Sequence, residues 1–263
     1  MSDFLEMLIA ERRADAQAPR GALGYATRAG MTRPSFAAAI RAARARGRIA
    51  IIAEVKRLSP AQGPLAADAD VVAVARAYEE GGAAAISVLT EPRHWGGSMD
   101  DLAAIAAAVR IPVLCKDVVV DERQLADAEA AGASAVLLIA EALDDATLAA
   151  FIERATALGM SALVEAHEHR AFARAVASGA AVVGVNARNL RAPVEIDADR
   201  IEALHQLARP GQLLVAESGI ATPADIELLP ARVDAVLVGT ALMRAPEPGA
   251  LLRSLVDVRR STR

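Results

Sequence analysis

From Ile49 onward the chain repeats one unit eight times: a short, mostly apolar run followed by a helix-prone segment. The runs are IAIIAEV (49–55), AAISVLT (84–90), PVLCKDVVV (112–120), AVLLIA (135–140), SALVEA (161–166), VVGVNA (182–187), LLVAES (213–218) and AVLVGT (235–240). They are continuous rather than alternating, which is the pattern of parallel strands covered by helices. Between them lie helical patterns such as DVVAVARAYEE, DERQLADAEA, DDATLAAFIERATALG, EHRAFARAVASG and TPADIELLP. EEGGAAAISVLT, AAGASAVLLIA and ASGAAVVGVNA each read as helix end, glycine cap, then strand, because glycine supplies the left-handed position that ends a helix. Eight such units predict an α/β fold, a (β/α)8 TIM barrel with an N-terminal helical extension. An open doubly wound sheet is the alternative, but a GxGxxG turn is missing after the first run, and eight even units favour closure.

A length of 263 residues suits one such barrel, which runs to ~250 residues as a single unit. We expect residues 1–48 to form the extension and 49–263 the barrel. The extension reads as two helices, about Asp3 to Ala16 and Pro34 to Ala45, joined by a Gly-containing stretch and placed under the barrel or beside its mouth.

A formal net charge of -4 argues against a nucleic-acid or membrane-surface partner, since either would call for a basic face. The single cysteine excludes an internal disulfide and a cysteine-based zinc site. MSDFLEMLIAERR has neither a basic n-region nor a long apolar run, so no signal peptide or membrane span is expected and the cytoplasm is the default location. One bias carries more information. Of 29 basic residues only Lys56 and Lys116 are lysines, the other 27 being arginine, and only Asn186 and Asn189 are asparagines. Arginine serves equally well for surface charge, whereas lysine offers a tunable proton donor and a compact charge for phosphate. Both lysines are therefore suspects, with chance as the bland alternative.

Catalytic groups of such barrels sit at the C-terminal ends of the strands, and the polar residues fall there. Glu54 and Lys56 end the first run, Lys116 and Asp117 lie in the third, Glu165 in the fifth, Asn186 and Arg188 at the sixth, and Glu217 and Ser218 at the seventh. Glu54 and Lys56, two apart, face the same side. Buried charges are costly unless paired, so the bland reading of Glu54 with Lys56, or Glu165 with Lys116, is an ion pair closing the barrel top. Glu217 is the candidate best suited to a mainly structural role, and Asp117 reads as a loop anchor. ESGI (217–220) and VGTALM (238–243) place glycine after the last two strands, where exposed backbone N–H groups form a recurrent phosphate cradle. Simple tight turns are the alternative there. Ser59, in RLSPAQG, could add a hydroxyl. His167 and His169 read as a surface helix start rather than a metal site, Cys115 as a small buried residue, and Tyr78 as packing. Trp95, in the loop EPRHWGGS, either packs on a planar ligand or pins the loop.

Taken together, IIAEVKRLSPAQG, ISVLTEPRHWGGS, PVLCKDVVV, ALVEAH, GVNARNL, VAESGI and VLVGTALMR, in order from residue 50 to 244, resemble the indole-3-glycerol phosphate synthase family. The resemblance implies that 1-(o-carboxyphenylamino)-1-deoxyribulose 5-phosphate, a small phosphorylated substrate, is closed to an indole with loss of carbon dioxide and water. It further implies Lys116 as the acid for ring closure and Glu165 with Lys56 for the dehydration. Glu54 would orient Lys56, and Asn186 and Glu217 would engage polar groups of the substrate. Ser218, Gly219, Gly239 and Thr240, with Lys56 or Ser59, would hold the phosphate. Trp95, Val118, Arg188 and Leu190 complete the implied binding set. A site this crowded could hold a lysine neutral or poised. No metal or organic cofactor is implied.

The chain departs from the family pattern at Ala61 (usually serine), Cys115 (arginine), Val118 (phenylalanine) and Ala187 (asparagine or serine), and Trp95 replaces a phenylalanine. We expect the reaction type to be kept and affinity or substrate range to shift. Two other readings are a related phosphate-binding barrel such as phosphoribosyl-anthranilate isomerase, for which Cys115 is misplaced, and a barrel that binds without turnover. Retention of both lysines at the mouth speaks against the second.

Overall fold

The structure is a computed structural model that describes residues 3–18 and 32–260. Eight parallel strands close into a barrel: β1 (Ala50–Val55), β2 (Ala85–Leu89), β3 (Val113–Lys116), β4 (Ala135–Ile139), β5 (Ser161–Ala166), β6 (Val182–Asn186), β7 (Leu213–Glu217) and β8 (Ala235–Val238). Each lies within one of the eight apolar runs. Closure is made by β1, which pairs with β2 at Ile52↔Ala85 and with β8 at Ala53↔Val238. The expected (β/α)8 barrel is the fold observed. Nearly every strand residue is buried, which is why the runs lack alternation.

Helices α1 (Phe4–Gln17) and α2 (Phe36–Ala45) precede the barrel, and α3 (Val71–Glu80), α4 (Met99–Ala108), α5 (Glu122–Ala130), α6 (Asp145–Ala157) and α7 (His169–Ala177) follow β1 to β5. After β6 to β8 come α8 (Asp199–Leu204), α9 (Pro223–Glu227), the short α10 (Thr240–Arg244) and α11 (Pro248–Val256). Local chemistry sets the boundaries. Asp121 with Gln124 and Thr222 with Asp225 form capping boxes at the starts of α5 and α9. The repeated glycine cap is realised at Gly132, whose φ of 94° ends α5 in the left-handed region. No helix among the described residues is long and apolar enough to cross a membrane.

The two leading helices part company. Arg44 of α2 binds Asp234, just before β8, at 2.7 Å, so α2 sits at the bottom of the barrel. Helix α1 spans the mouth instead. At one end the Phe4 N–H donates to the Arg191 carbonyl at 3.2 Å and Asp3 pairs with Arg191. At the other, Arg12 grips Asp117, after β3, through Nε at 2.9 Å and Nη2 at 2.8 Å. Most of the stretch expected to join these helices lies outside the described residues.

Candidate active site

Alternation along β1 points Glu54 into the mouth together with Lys56 just beyond the strand, and the pair is closed at 2.7 Å. Across the lumen, Lys116 Nζ donates to Glu165 Oε2 at 2.8 Å and to Glu217 Oε2 at 3.1 Å, bridging β5 and β7 from β3. Asn186, which ends β6, donates from Nδ2 to Glu165 Oε1 at 2.8 Å. Its Oδ1 accepts from Ser218 Oγ at 2.8 Å and from the Arg188 N–H at 2.9 Å. Two glycines make room for these charges. A Cβ at Gly184 would overlap Glu217, and one at Gly239 would overlap the Glu54 carboxylate and lie 3.0 Å from Lys56 Nζ.

Burial alone would favour a neutral Lys116, but the Glu165, Glu217 and Glu54 carboxylates outweigh it and hold the ammonium well above the ordinary lysine range. The neutral or poised lysine that crowding could have produced is not the outcome for Lys116. For Glu165, burial raises the pKa, yet Lys116 and the hydrogen bonds from Glu217, Asn186 and Lys116 bring it below the usual range, so this carboxylate is ionised. Glu217 goes the other way: burial, then repulsion by Glu165, carry it well above the usual range despite Lys116. Within the trio Lys116 and Glu165 are thus held toward their charged forms, while Glu217 is pushed toward its protonated one.

These groups form the floor of a cavity of about 360 Å³. Glu54, Lys56, Lys116, Glu165, Asn186 and Glu217 line it, as do Trp95, Val118, Arg188 and Leu190. Ser218, Gly219, Gly239 and Thr240 line it beside Asn186, Glu54 and Lys56. Ser59 alone of the expected set stays out: it is buried in a hairpin formed by Leu58–Ser59 and Gly63–Pro64, and Gln62 of that turn lines the cavity instead. Ser218 is the one non-glycine with positive φ among the described residues, at 69°, followed by Gly219 at 78°. Such strain persists only where the surroundings fix it, and here the hydroxyl is held by Asn186. Arg188 is half-buried, makes no ion pair among the described residues, and has its pKa lowered by that burial.

Among the lining groups that escaped the sequence reading are Leu5, Leu8 and Arg244. Leu5 and Leu8 of α1 supply an apolar wall beside Trp95, whose ring stacks edge-on against Phe4 at 6.1 Å. Arg244, one helical turn after Thr240, lines the rim, and its guanidinium donates to the Gln62 carbonyl at 3.5 Å. The i, i+4 spacing of Thr240 and Arg244 within VGTALMR was the available signal. Trp95 therefore both pins its loop and faces the cavity.

The remaining candidates resolve differently. Asp117 anchors: besides Arg12 it accepts from Thr90 Oγ1 at 2.8 Å and the Val118 N–H at 2.7 Å. Cys115 is buried, and burial, then Asp117, push its thiol up to about 12, so it is inert packing. Tyr78 is core, its hydroxyl donating to Met243 Sδ at 3.3 Å. The surface reading holds for His169 but not for His167, which is buried with Nδ1 3.1 Å from Glu141 Oε1. Glu141, just beyond β4, reaches it across the strand order, a contact no local pattern announces.

Buried acids and lysines gathered at the mouth of a (β/α)8 barrel, with glycine turns beside them, are the arrangement of the barrel enzymes. The family model for indole-3-glycerol phosphate synthase matches residues 5–255, and the chain belongs to that family. It is 47% identical over 253 residues to the indole-3-glycerol phosphate synthase of Micrococcus luteus, covering 96% of this chain and 89% of that one. Indole-3-glycerol phosphate synthase 2 of Streptomyces coelicolor is 48% identical over 222 residues, covering 84% of each chain. Among solved structures, a ligand-free tryptophan synthase from M. tuberculosis superposes with a TM-score of 0.65 at 16% identity, covering 87% of this chain and 100% of that one, a likeness of fold alone. The chain is accordingly a decarboxylating carbon–carbon lyase of tryptophan biosynthesis.

Proposed function

We propose that the cavity binds 1-(o-carboxyphenylamino)-1-deoxyribulose 5-phosphate with its phosphate on the rim of Ser218, Gly219, Gly239 and Thr240. The aromatic ring lies against Leu5, Leu8, Trp95, Val118 and Leu190. Lys56 approaches the phosphate side as a compact charge, and Arg188, a cation without an ion-pair partner among the described residues, faces the substrate carboxylate. The observation that carries this reading is Lys116 suspended between Glu165 and Glu217, 2.8 and 3.1 Å away.

The aromatic carbon bearing the carboxylate attacks the ribulose carbonyl. As that carbon–carbon bond forms, Lys116 delivers its proton to the carbonyl oxygen, giving a tertiary alcohol. Carbon dioxide then leaves, and its bonding pair returns to the ring system. In the last step the hydroxyl departs as water with a proton from an acid, while a base removes the proton from the adjacent methylene to give the indole. Glu165, ionised in the free enzyme, is the base. Lys56, fixed by Glu54, is the acid. Asn186 orients Glu165. The reaction joins soluble phosphorylated metabolites, and we place the enzyme in the cytoplasm.

The test is growth of indole fluorescence on adding the substrate to the purified enzyme, with Lys116→Ala as control. A lost general acid costs about 10²–10⁴-fold in turnover, with substrate affinity changed less than about tenfold. Equal losses of both would reduce Lys116 to a positioning role.

A further inference from the structure

Away from the catalytic trio, Glu11 of α1 meets Glu91 and His94 of the loop after β2, and one ligand atom from each lies within 4.8 Å of the others. We infer that Glu11, Glu91 and His94 form a zinc-type divalent-cation site that ties helix α1 to this loop.

The imidazole is already aimed. Its ring stands edge-on to Phe4 at 5.2 Å and to Trp95 at 6.3 Å, and Nε2 faces Glu11 Oε2 at 2.9 Å. Fixing of a ligating ring by its neighbours is what metal sites require. Glu91 is buried and held by three backbone donors: Arg93 N–H to Oε1 at 2.9 Å, and His94 and Trp95 N–H to Oε2 at 2.7 and 3.2 Å. A carboxylate has about four acceptor positions, so one lone pair of Oε1 remains for a cation. The cation best placed to neutralise the cluster is engaged elsewhere: Arg93 turns to Asp15, with Nη1 to Oδ2 at 2.7 Å and Nη2 to Oδ1 at 2.5 Å. Within the cluster His94 is the partner of Glu11, and Arg93, though paired with Asp15, still acts on both glutamates from a distance.

The donor set is chemically apt. One imidazole and two carboxylates with an open fourth position suit zinc, with bonds of about 2.0–2.2 Å. Ligand atoms around such a tetrahedral ion stand roughly 3.3 Å apart. The 2.9 Å contact needs to open slightly and the longer ones to contract, which the partly exposed Glu11 side chain accommodates by rotation. No reacting group is among the ligands. The ion would act on the lid, since Leu5 and Leu8 of the same helix line the cavity.

The experiment titrates chelator-treated, untagged full-length protein with Zn2+ by calorimetry and with Co2+ by visible absorption. One ion per chain, tetrahedral cobalt bands, and slower amide exchange in α1 with zinc bound are expected. His94→Gln and Glu11→Gln should each weaken binding at least tenfold, whereas His205→Gln, at an unrelated imidazole, should not. Glu11 is partly exposed, so its variant keeps the test decisive if His94→Gln folds poorly. Absence of stoichiometric binding, unchanged affinity in Glu11→Gln, or binding without protection of α1 overturns the proposal.

Discussion

Asp234 at the bottom of the barrel and Glu217 at its mouth are both buried acids beside cations, and they differ in what is left over. Asp234 accepts from Arg44 at 2.7 Å, from Arg232 at 2.8 Å and from the Leu214 N–H at 2.8 Å, so both its oxygens are engaged. Glu217 shares Lys116 with Glu165 through Oε2, and its Oε1 has no hydrogen-bond partner among the described residues. Glu54 Oε2 is likewise unpartnered. Unsatisfied buried polar atoms cost stability, and these two belong to residues that line the cavity. One end of the barrel is wired to hold; the other keeps acceptors in reserve.

The contrast is sharpest at Glu165. Glu165→Gln should lower turnover about 10³-fold through loss of the base, with little change in melting temperature; a large stability loss and a small kinetic one would reverse the assignment. Asp234→Ala should do the opposite, destabilising by about 3 kcal/mol because two arginines lose a buried partner, with kcat of the folded protein within about twofold of the parent, as urea unfolding and steady-state assays would reveal. A smaller effect belongs to the lid. Arg12→Ala leaves Asp117 without its cation and frees one end of α1, and KM should rise about tenfold, some 1.4 kcal/mol, more than kcat falls. An unchanged KM would detach α1 from substrate binding.

Glu217→Gln carries the smallest effect and the most specific signature. A carboxyl whose folded pKa lies above its unfolded one is protonated preferentially in the native state, so its contribution to stability falls as pH rises through the interval between the two values. The variant should match the parent below the unfolded value of a glutamate and exceed it increasingly above, in paired unfolding curves at acid and neutral pH. Glu165, lowered instead, has the reverse sign, with stability lost as pH falls toward its folded pKa.

Much of this was legible before any coordinates. The strands could be read because both faces of each are covered, which forces continuous apolar runs, and the two lysines stood out because an arginine-rich chain had kept them. Whether Ser59 reaches the cavity was not readable, because its burial in the hairpin is a matter of loop geometry. The charge state of Lys116 was not readable, since it is set by burial against Glu165, Glu217 and Glu54, groups that meet only when the barrel closes. Leu5 and Leu8 stayed hidden for the same reason: nothing in α1 itself declares which surface it will cover.

That last contact has a consequence in time. Asp3 pairs with Arg191, 188 residues later in the chain. During synthesis the helix that walls the cavity emerges before the barrel, and the partner of its Asp3 end only after six strands have followed. A 14-residue helix is marginal on its own. Catalytic competence should therefore trail the appearance of barrel secondary structure, with a helix made before the barrel settling after it.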